Sequence, residues 1–257
     1  KKMVSPIHLP YNPLVRSYIK RYTDSSGLMS RVLALSKYYF PMIDEELLKA
    51  GLPVELHAMA IIESALQAKA YSRAGAAGLW QFIPTTAKAY GLEINSMVDE
   101  RYDAVKSTKA ACRYMKNLYD MYDDWSLAIA AYNCGPGNVN KAIARTGGNP
   151  QSFWDVYDYL PRETRGYVPA FIAASYAYAY HRAHGMTCAE PPMPSTSMWR
   201  RARTRGSRGG SSRSRRSRYG MVRKGSKPCA HSVSRRCASS GARATKAAAV
   251  SRSRRPV

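Results

Sequence analysis

Acidic residues are missing from the last quarter of this chain. All 17 Asp and Glu of the 257 residues lie at or before Glu190. Residues 1–194 set 21 Lys and Arg against those 17 acids, a net charge of +4, while residues 195–257 hold the other 19 basic residues and no acid. The overall +23 therefore belongs to the tail, and the body is ordinary in charge. Long apolar runs are missing too. None reaches the roughly 20 residues of a membrane helix, and no such stretch follows Lys1-Lys2-Met3-Val4 as it would in a secretory signal. A processed or truncated product would share this absence, so it leaves the compartment open. Cysteine is sparse: Cys112, Cys134, Cys188, Cys229 and Cys237 are odd in number and none has metal-ligand or redox spacing, which argues against a disulfide framework. No run alternates with period two between turn signals, so few or no strands are expected. There is no repeat in the 20–50 residue range, no phosphate-binding glycine loop and no Ser-His-Asp order.

What is present is helical. Asn12-Pro13 reads as cap and first helical position, opening a short helix over Leu14–Tyr22. Leu28–Phe40 is a second pattern, cut by Pro41; Pro41–Ala50 is a third, closed by Gly51. Pro53 opens the next helix. Pro84-Thr85-Thr86 starts a short helix that ends at Gly91. Asp103–Tyr122 is long, Asp124 caps Trp125–Tyr132, and Gly135-Pro136-Gly137-Asn138 reads as a turn before Val139–Arg145. Ser152 caps Phe153–Tyr159, and Pro161 opens a last helix through Ala183, with Pro169 inside it. The fold class expected is all-α.

Glu63 is a lone carboxylate in the helix opened by Pro53. Leu56, Met59, Ala60 and Leu66 surround it at helical spacing, with Gln67 one turn on, and Val54, Ala58, Ile61, Ile62 and Ala65 fill the other side. A helix apolar nearly all round is a buried helix. Within a turn, nothing neutralises the carboxylate. Either a distant cation pairs with it, or it keeps its proton at a raised pKa, as a general acid requires. A position at the solvent edge or in a structural salt bridge stays open. His181 and His184 stand three apart on the last helix but have no acid or cysteine at matching spacing, so neither a metal nor a cofactor is expected. His57 reads as a packed or surface histidine.

From about Ser195 an Arg/Ser/Gly-rich stretch has no apolar period, and residues 191–257 are expected to be disordered. Three readings of it are open: binding of anions such as nucleic acid or acidic envelope polymers, a flexible linker, or out-of-frame translation after about Pro194. The abrupt loss of acids and the scattered Cys229 and Cys237 favour the last.

Four motifs follow in order: Glu63-Ser64, Gly78-Leu79-Trp80-Gln81-Phe82, Ala131-Tyr132-Asn133-Cys134-Gly135 and Tyr167-Val168-Pro169. In order and rough spacing, over about residues 30–190, the chain resembles the SLT-type lytic transglycosylases, and among them the membrane-bound lytic murein transglycosylase D group. The resemblance implies a lysozyme-like globular helical domain with a deep cleft over residues 51–190, with the helices of residues 1–50 packed on it. It implies an enzyme of the bacterial cell envelope that cuts peptidoglycan glycan strands between N-acetylmuramic acid and N-acetylglucosamine, without water and without a cofactor, leaving 1,6-anhydro ends; no obligate protein partner is implied. Glu63 is then the catalytic acid and base. Ser64, Trp80, Gln81, Tyr132, Asn133 and Tyr167 are the implied substrate-side residues. Trp80 replaces the Met of many relatives and reshapes an apolar wall. Ser64 has an alternative as a backbone-bonded helix serine, Asn133 as a holder of its turn, and both tyrosines as core. The LysM repeats that relatives often carry beyond this region are not visible. A lysozyme-type hydrolase on the same fold and a non-catalytic glycan-binding protein are the rival readings. The motif residues offer only one carboxylate where ordinary glycosidases use two.

Overall fold

The computed structural model describes residues 5–24, 26–148 and 152–188. The expectations for residues 191–257 lie outside them, as do Cys229 and Cys237. Among the described residues the secondary structure is helical, with isolated bridge pairings at Tyr71–Ala77, Ala77–Phe82 and Ile94–Asp99 and no strand. In chain order the helices are α1 Pro13–Asp24, α2 Ser26–Lys49, α3 His57–Ser64, α4 Pro84–Ala89, α5 Ala104–Tyr122, α6 Trp125–Cys134, α7 Pro136–Arg145, α8 Phe153–Val156 and α9 Arg162–Ala179.

The starts of these helices follow from capping chemistry. A helix leaves its first N–H groups without intrahelical partners, and short polar side chains accept from them. Asn12 Oδ1 accepts from the Val15 N–H at 2.8 Å, Asp103 accepts from Val105 and Lys106, and Asp124 accepts from Leu127 at 2.7 Å. Ser152 and Asp155 form a reciprocal capping box ahead of α8.

Two prolines act differently from expectation. Pro41 does not divide a helix: α2 runs unbroken through it. Pro41 and Lys37, whose carbonyl loses its hydrogen bond to the proline ring, both lie on the exposed side, where water replaces the bond. The opposite side buries Phe40, Met42, Ile43 and Leu47 and holds the helix together. Pro136 is the first residue of α7 rather than part of a turn. Its fixed φ suits that position, and Gly135 at φ 81° makes the corner with α6.

The centre of the fold is α3. Ala58, Met59, Ala60 and Ile61 are buried, and the helix packs against α2 and α9. Helix α6 also packs on α9, with Leu127 to Ala131 all buried. Alanines on both helices allow a close approach, while Phe171 of α9 fills space with no exposure. Truncating Phe171 to Ala would cost about 3–5 kcal/mol. α1 lies along α9, and α5 packs on α2 and α6. No helix among the described residues is long and apolar enough to cross a membrane.

Candidate active site

The last turn of α3 places the lone carboxylate. The apolar pattern continues through Ala65 and Leu66, yet the helix stops at Ser64. Ala65 and Leu66 take left-handed conformations, φ 51° and 62°. Each such step costs a non-glycine residue about 1 kcal/mol or more. Here the Ala65 N–H donates to the Ile61 carbonyl at 2.8 Å and the Leu66 N–H to the Ala60 carbonyl at 3.3 Å, which closes the helix end. Leu66 is driven fully into the core. The chain therefore turns away immediately after Glu63-Ser64, and Glu63 is left at the edge of the core facing open space.

The segment 70–83 forms the next wall. The Gly78 N–H donates to the Ala70 carbonyl at 2.9 Å, and the Ala77 N–H to the Phe82 carbonyl at 3.1 Å. Gly78 has φ 81°, and a Cβ there would sit 1.9 Å from the Arg101 carbonyl oxygen, so only glycine fits. Arg101 is buried and ties the segment together from outside. Its Nη1 donates to the Gly75 carbonyl at 2.6 Å and the Phe82 carbonyl at 3.0 Å, and its Nη2 to Asp99 at 2.7 Å. Arg101 in turn holds the Asp99 carboxyl below its usual range. Ser64 Oγ donates to the Leu79 carbonyl at 2.9 Å, joining the end of α3 to the same segment.

Between these parts opens a cleft of about 590 Å³. Glu63, Gln81, Tyr132, Asn133, Glu163 and Tyr167 line it, and Tyr114 extends the wall. Among the described residues, no Lys, Arg or His lines it. Tyr167 in α9 donates its hydroxyl to Glu63 Oε1 at 2.5 Å. Glu63 is half-buried, and its pKa is pushed up to about 7. Burial is the main cause; the Tyr167 hydrogen bond pulls the other way, and the charge of Glu163 adds to the rise. Burial, then the charge of Glu63, hold the Tyr167 and Tyr132 hydroxyls protonated well above the usual tyrosine range. Tyr132 donates to the Trp80 carbonyl at 2.9 Å, and its ring lies 5.1 Å from that of Tyr114. Asn133 Oδ1 accepts from Thr164 of α9 at 2.8 Å, and the residue lines the cleft. The arrangement presents a carboxyl group that exchanges its proton near neutrality, beside hydroxyl and amide groups suited to a polar, uncharged ligand.

Residues 41–154 match the family model of the transglycosylase SLT domain. Over those residues the chain is similar to an SLT domain. It is 39% identical over 170 residues to the membrane-bound lytic murein transglycosylase D of Escherichia coli K12, a match covering 65% of this chain and 37% of that protein. It is 29% identical over 173 residues to the soluble lytic murein transglycosylase of the same strain, covering 63% and 26%. The chain thus spans well under half the length of either relative. The crystal structure of the 70 kDa soluble lytic transglycosylase of Escherichia coli superposes with a TM-score of 0.50 at 23% identity, covering 70% of this chain and 32% of that one. The all-α, lysozyme-like fold class is therefore shared with that structure.

Five of the seven expected residues meet in one cleft: Glu63, Gln81, Tyr132, Asn133 and Tyr167. Two do not. Trp80 has no exposed surface; its indole N–H donates to Thr108 of α5 at 2.8 Å, so it is core rather than cleft wall. The alternation of the tight 78–82 turn sends Trp80 inward while Gln81, at φ 47°, faces the cleft. Ser64 is buried and backbone-bonded. Gln81 is partly structural as well, since its Nε2 donates to the carbonyls of Gly78 at 2.9 Å and Ala70 at 3.3 Å. Asn133 is held by Thr164, and the turn after it is held by Asn138, whose Nδ2 donates to the Cys134 carbonyl. Three residues were missed. Glu163 lies one helical turn before Tyr167, a spacing that motif reading alone overlooked. Tyr114 is one of 19 tyrosines, and nothing local marks it. Arg101 carries no sequence signal for its role. His57 donates to or accepts from Asp44 at 2.9 Å and stacks on Phe40, while His181 and His184 bond to Tyr178 and Tyr176.

Proposed function

We propose that this chain is a lytic transglycosylase acting on peptidoglycan glycan strands in the cell envelope. Glu63 would protonate the glycosidic oxygen between N-acetylmuramic acid and N-acetylglucosamine. The bond to that oxygen breaks, and the positive charge at the sugar carbon is relieved by the substrate's acetamido group or by an oxocarbenium-like path. The ionised Glu63 then takes the proton of the muramic C6 hydroxyl as that oxygen closes on the same carbon. The product is a 1,6-anhydro sugar, with no water consumed. The observation that carries this reading is the state of Glu63: held near neutrality in an open cleft, hydrogen-bonded to a neutral phenol and to no cation among the described residues. A single group that acts as acid and then as base needs a pKa close to the working pH. The attack from within the sugar supplies the proximity that a free water lacks. Tyr167 orients the carboxyl, while Gln81, Tyr132 and Asn133 offer donors, acceptors and a ring face to the sugars. The names of the relatives support the same substrate class. Helices α1 and α2 serve as a buttress of this domain, since α1 packs along α9, which carries Tyr167.

One observation favours a second reading. Glu163 lines the same cleft, and a hydrolase of the lysozyme type would use a second carboxylate. The deciding experiment digests purified peptidoglycan and measures product mass. Anhydro products lighter by one water are expected from the wild type and none from Glu63→Gln. Products with reducing ends alone would assign the hydrolase.

A further inference from the structure

Glu163 is a carboxylate in the cleft that the proton transfers of Glu63 do not use. It stands in the first turn of α9, where a negative charge suits the helix dipole. That preference explains why an acid is tolerated there and does not explain why it faces a cleft. Tyr167, four residues on and so on the same side of α9, touches Glu63. Glu163 therefore sits about one turn, roughly 6 Å of helix axis, from the group that orients the proposed acid. Its side chain is exposed, it lines the cleft, and no ion pair neutralises it among the described residues. Among the described residues no Lys, Arg or His lines the cleft. A carboxylate facing such a cleft is solvated by water and takes its counter-charge from a dissolved cation or from the ligand.

Building on the glycan-cleaving reading, we propose that Glu163 binds an ammonium group carried by the strand, foremost the free side-chain ammonium of a diamino acid in an uncross-linked stem peptide. A de-N-acetylated glucosamine would present the same chemistry. A cross-link turns the peptide amine into a neutral amide and removes the charge. Glu163 thereby makes the cleft favour strands whose stem peptides are not cross-linked.

The test compares soluble peptide-bearing strands with free amines and the same strands after N-acetylation, at one pH and low salt. Release of anhydro ends gives kcat/KM for the wild type, Glu163→Gln and Glu163→Lys. The wild type should favour the free amine about fivefold, the scale of a solvent-accessible carboxylate–ammonium pair. The preference should fall to about one in Glu163→Gln and invert in Glu163→Lys. Any effect that passes through Glu63 acts on both substrates and cancels in the ratio. A wild-type ratio of one, or a ratio untouched by both variants, overturns the proposal; so does an equal slowing of both substrates by Glu163→Gln, the signature of a general base. Peptide-free strands, fully acetylated or partly deacetylated, form the second arm. A Glu163-dependent preference confined to these strands overturns the stem-peptide assignment in favour of the sugar amine. The same ratios read as Kd in a Glu63→Gln background keep the inference testable if cleavage fails. Loss of all anhydro product from the wild type would instead count against the proposed function.

Discussion

The two ends of α3 treat their titratable residues in opposite ways. At the N-terminal end, His57 is fully engaged: its Nδ1 meets Asp44 at 2.9 Å, its ring stacks on Phe40 at 4.0 Å, and Tyr178 closes the third side edge-on. Six residues later, Glu63 has a phenol and an open cleft. Both belong to one short helix with the same buried neighbours. A group that serves the fold is given a hydrogen-bond partner and ring packing. A group that moves a proton is desolvated without a counter-charge, so that its two states lie close in free energy.

The largest expected effect that tests this contrast is on turnover. Glu63→Gln removes the proton and should lower the rate of glycan cleavage by about a thousandfold or more, read as loss of anhydro ends. His57→Asn should leave turnover within a few-fold. If both variants lost activity alike, the distinction between the ends of α3 would fail.

Arg101→Ala comes next. Removing a buried guanidinium takes the side-chain ion pair from Asp99 and a hydrogen bond from each of the Gly75 and Phe82 carbonyls, at a cost of about 3 kcal/mol. Chemical denaturation should show that loss together with reduced activity, because the segment that carries Gln81 loses its tie. Tyr167→Phe should reduce kcat by about tenfold to a hundredfold. Its hydrogen bond lowers the pKa of Glu63. Losing it should move the alkaline limb of the pH–rate profile, where the acid must be protonated, to higher pH. A limb that moved down would mean that Tyr167 does not donate to the ionised carboxyl.

A smaller effect concerns stability. Glu63 has a folded pKa of about 7 against an ordinary 4.5. Between those values the folded state holds more protons than the unfolded one, so stability falls as pH rises through that window. Above pH 7 the ionised group costs the fold on the order of 2–3 kcal/mol. Glu63→Gln should therefore melt higher than the wild type at pH 8, by several degrees, with the gap narrowing toward pH 4.5. An equal gap at both pH values would place Glu63 in an ordinary solvated environment. Least of all, His57→Asn should cost about 1 kcal/mol through lost stacking and its bond to Asp44.

Most of the helices were legible because capping residues and apolar period are local signals. Asn12, Asp103, Asp124 and Ser152 each mark a start that the structure keeps. The two proline readings failed for different reasons: Pro41 faces outward while the other side of its helix is buried, and Pro136 opens a helix because its fixed φ suits the first helical position. The site was half legible. Glu63, Gln81, Tyr132, Asn133 and Tyr167 come from motifs, yet Trp80 and Ser64 in those same motifs turn inward, and Arg101, Tyr114 and Glu163 enter from elsewhere. Motif order records which residues are near in sequence and says little about which way each side chain points across a tight turn.

By itself the sequence determined an all-helical body, a basic tail distinct from it, and one carboxylate set among apolar residues. These follow from composition and from a period of 3.6, which any stretch of chain carries within itself. Only the tertiary structure decided that α3 ends at Ser64, that Tyr167 reaches Glu63 from more than a hundred residues away, and that a second carboxylate shares the cleft. Desolvation and long-range hydrogen bonds depend on what the rest of the chain packs around a group, and that is what sets the proton affinity of Glu63.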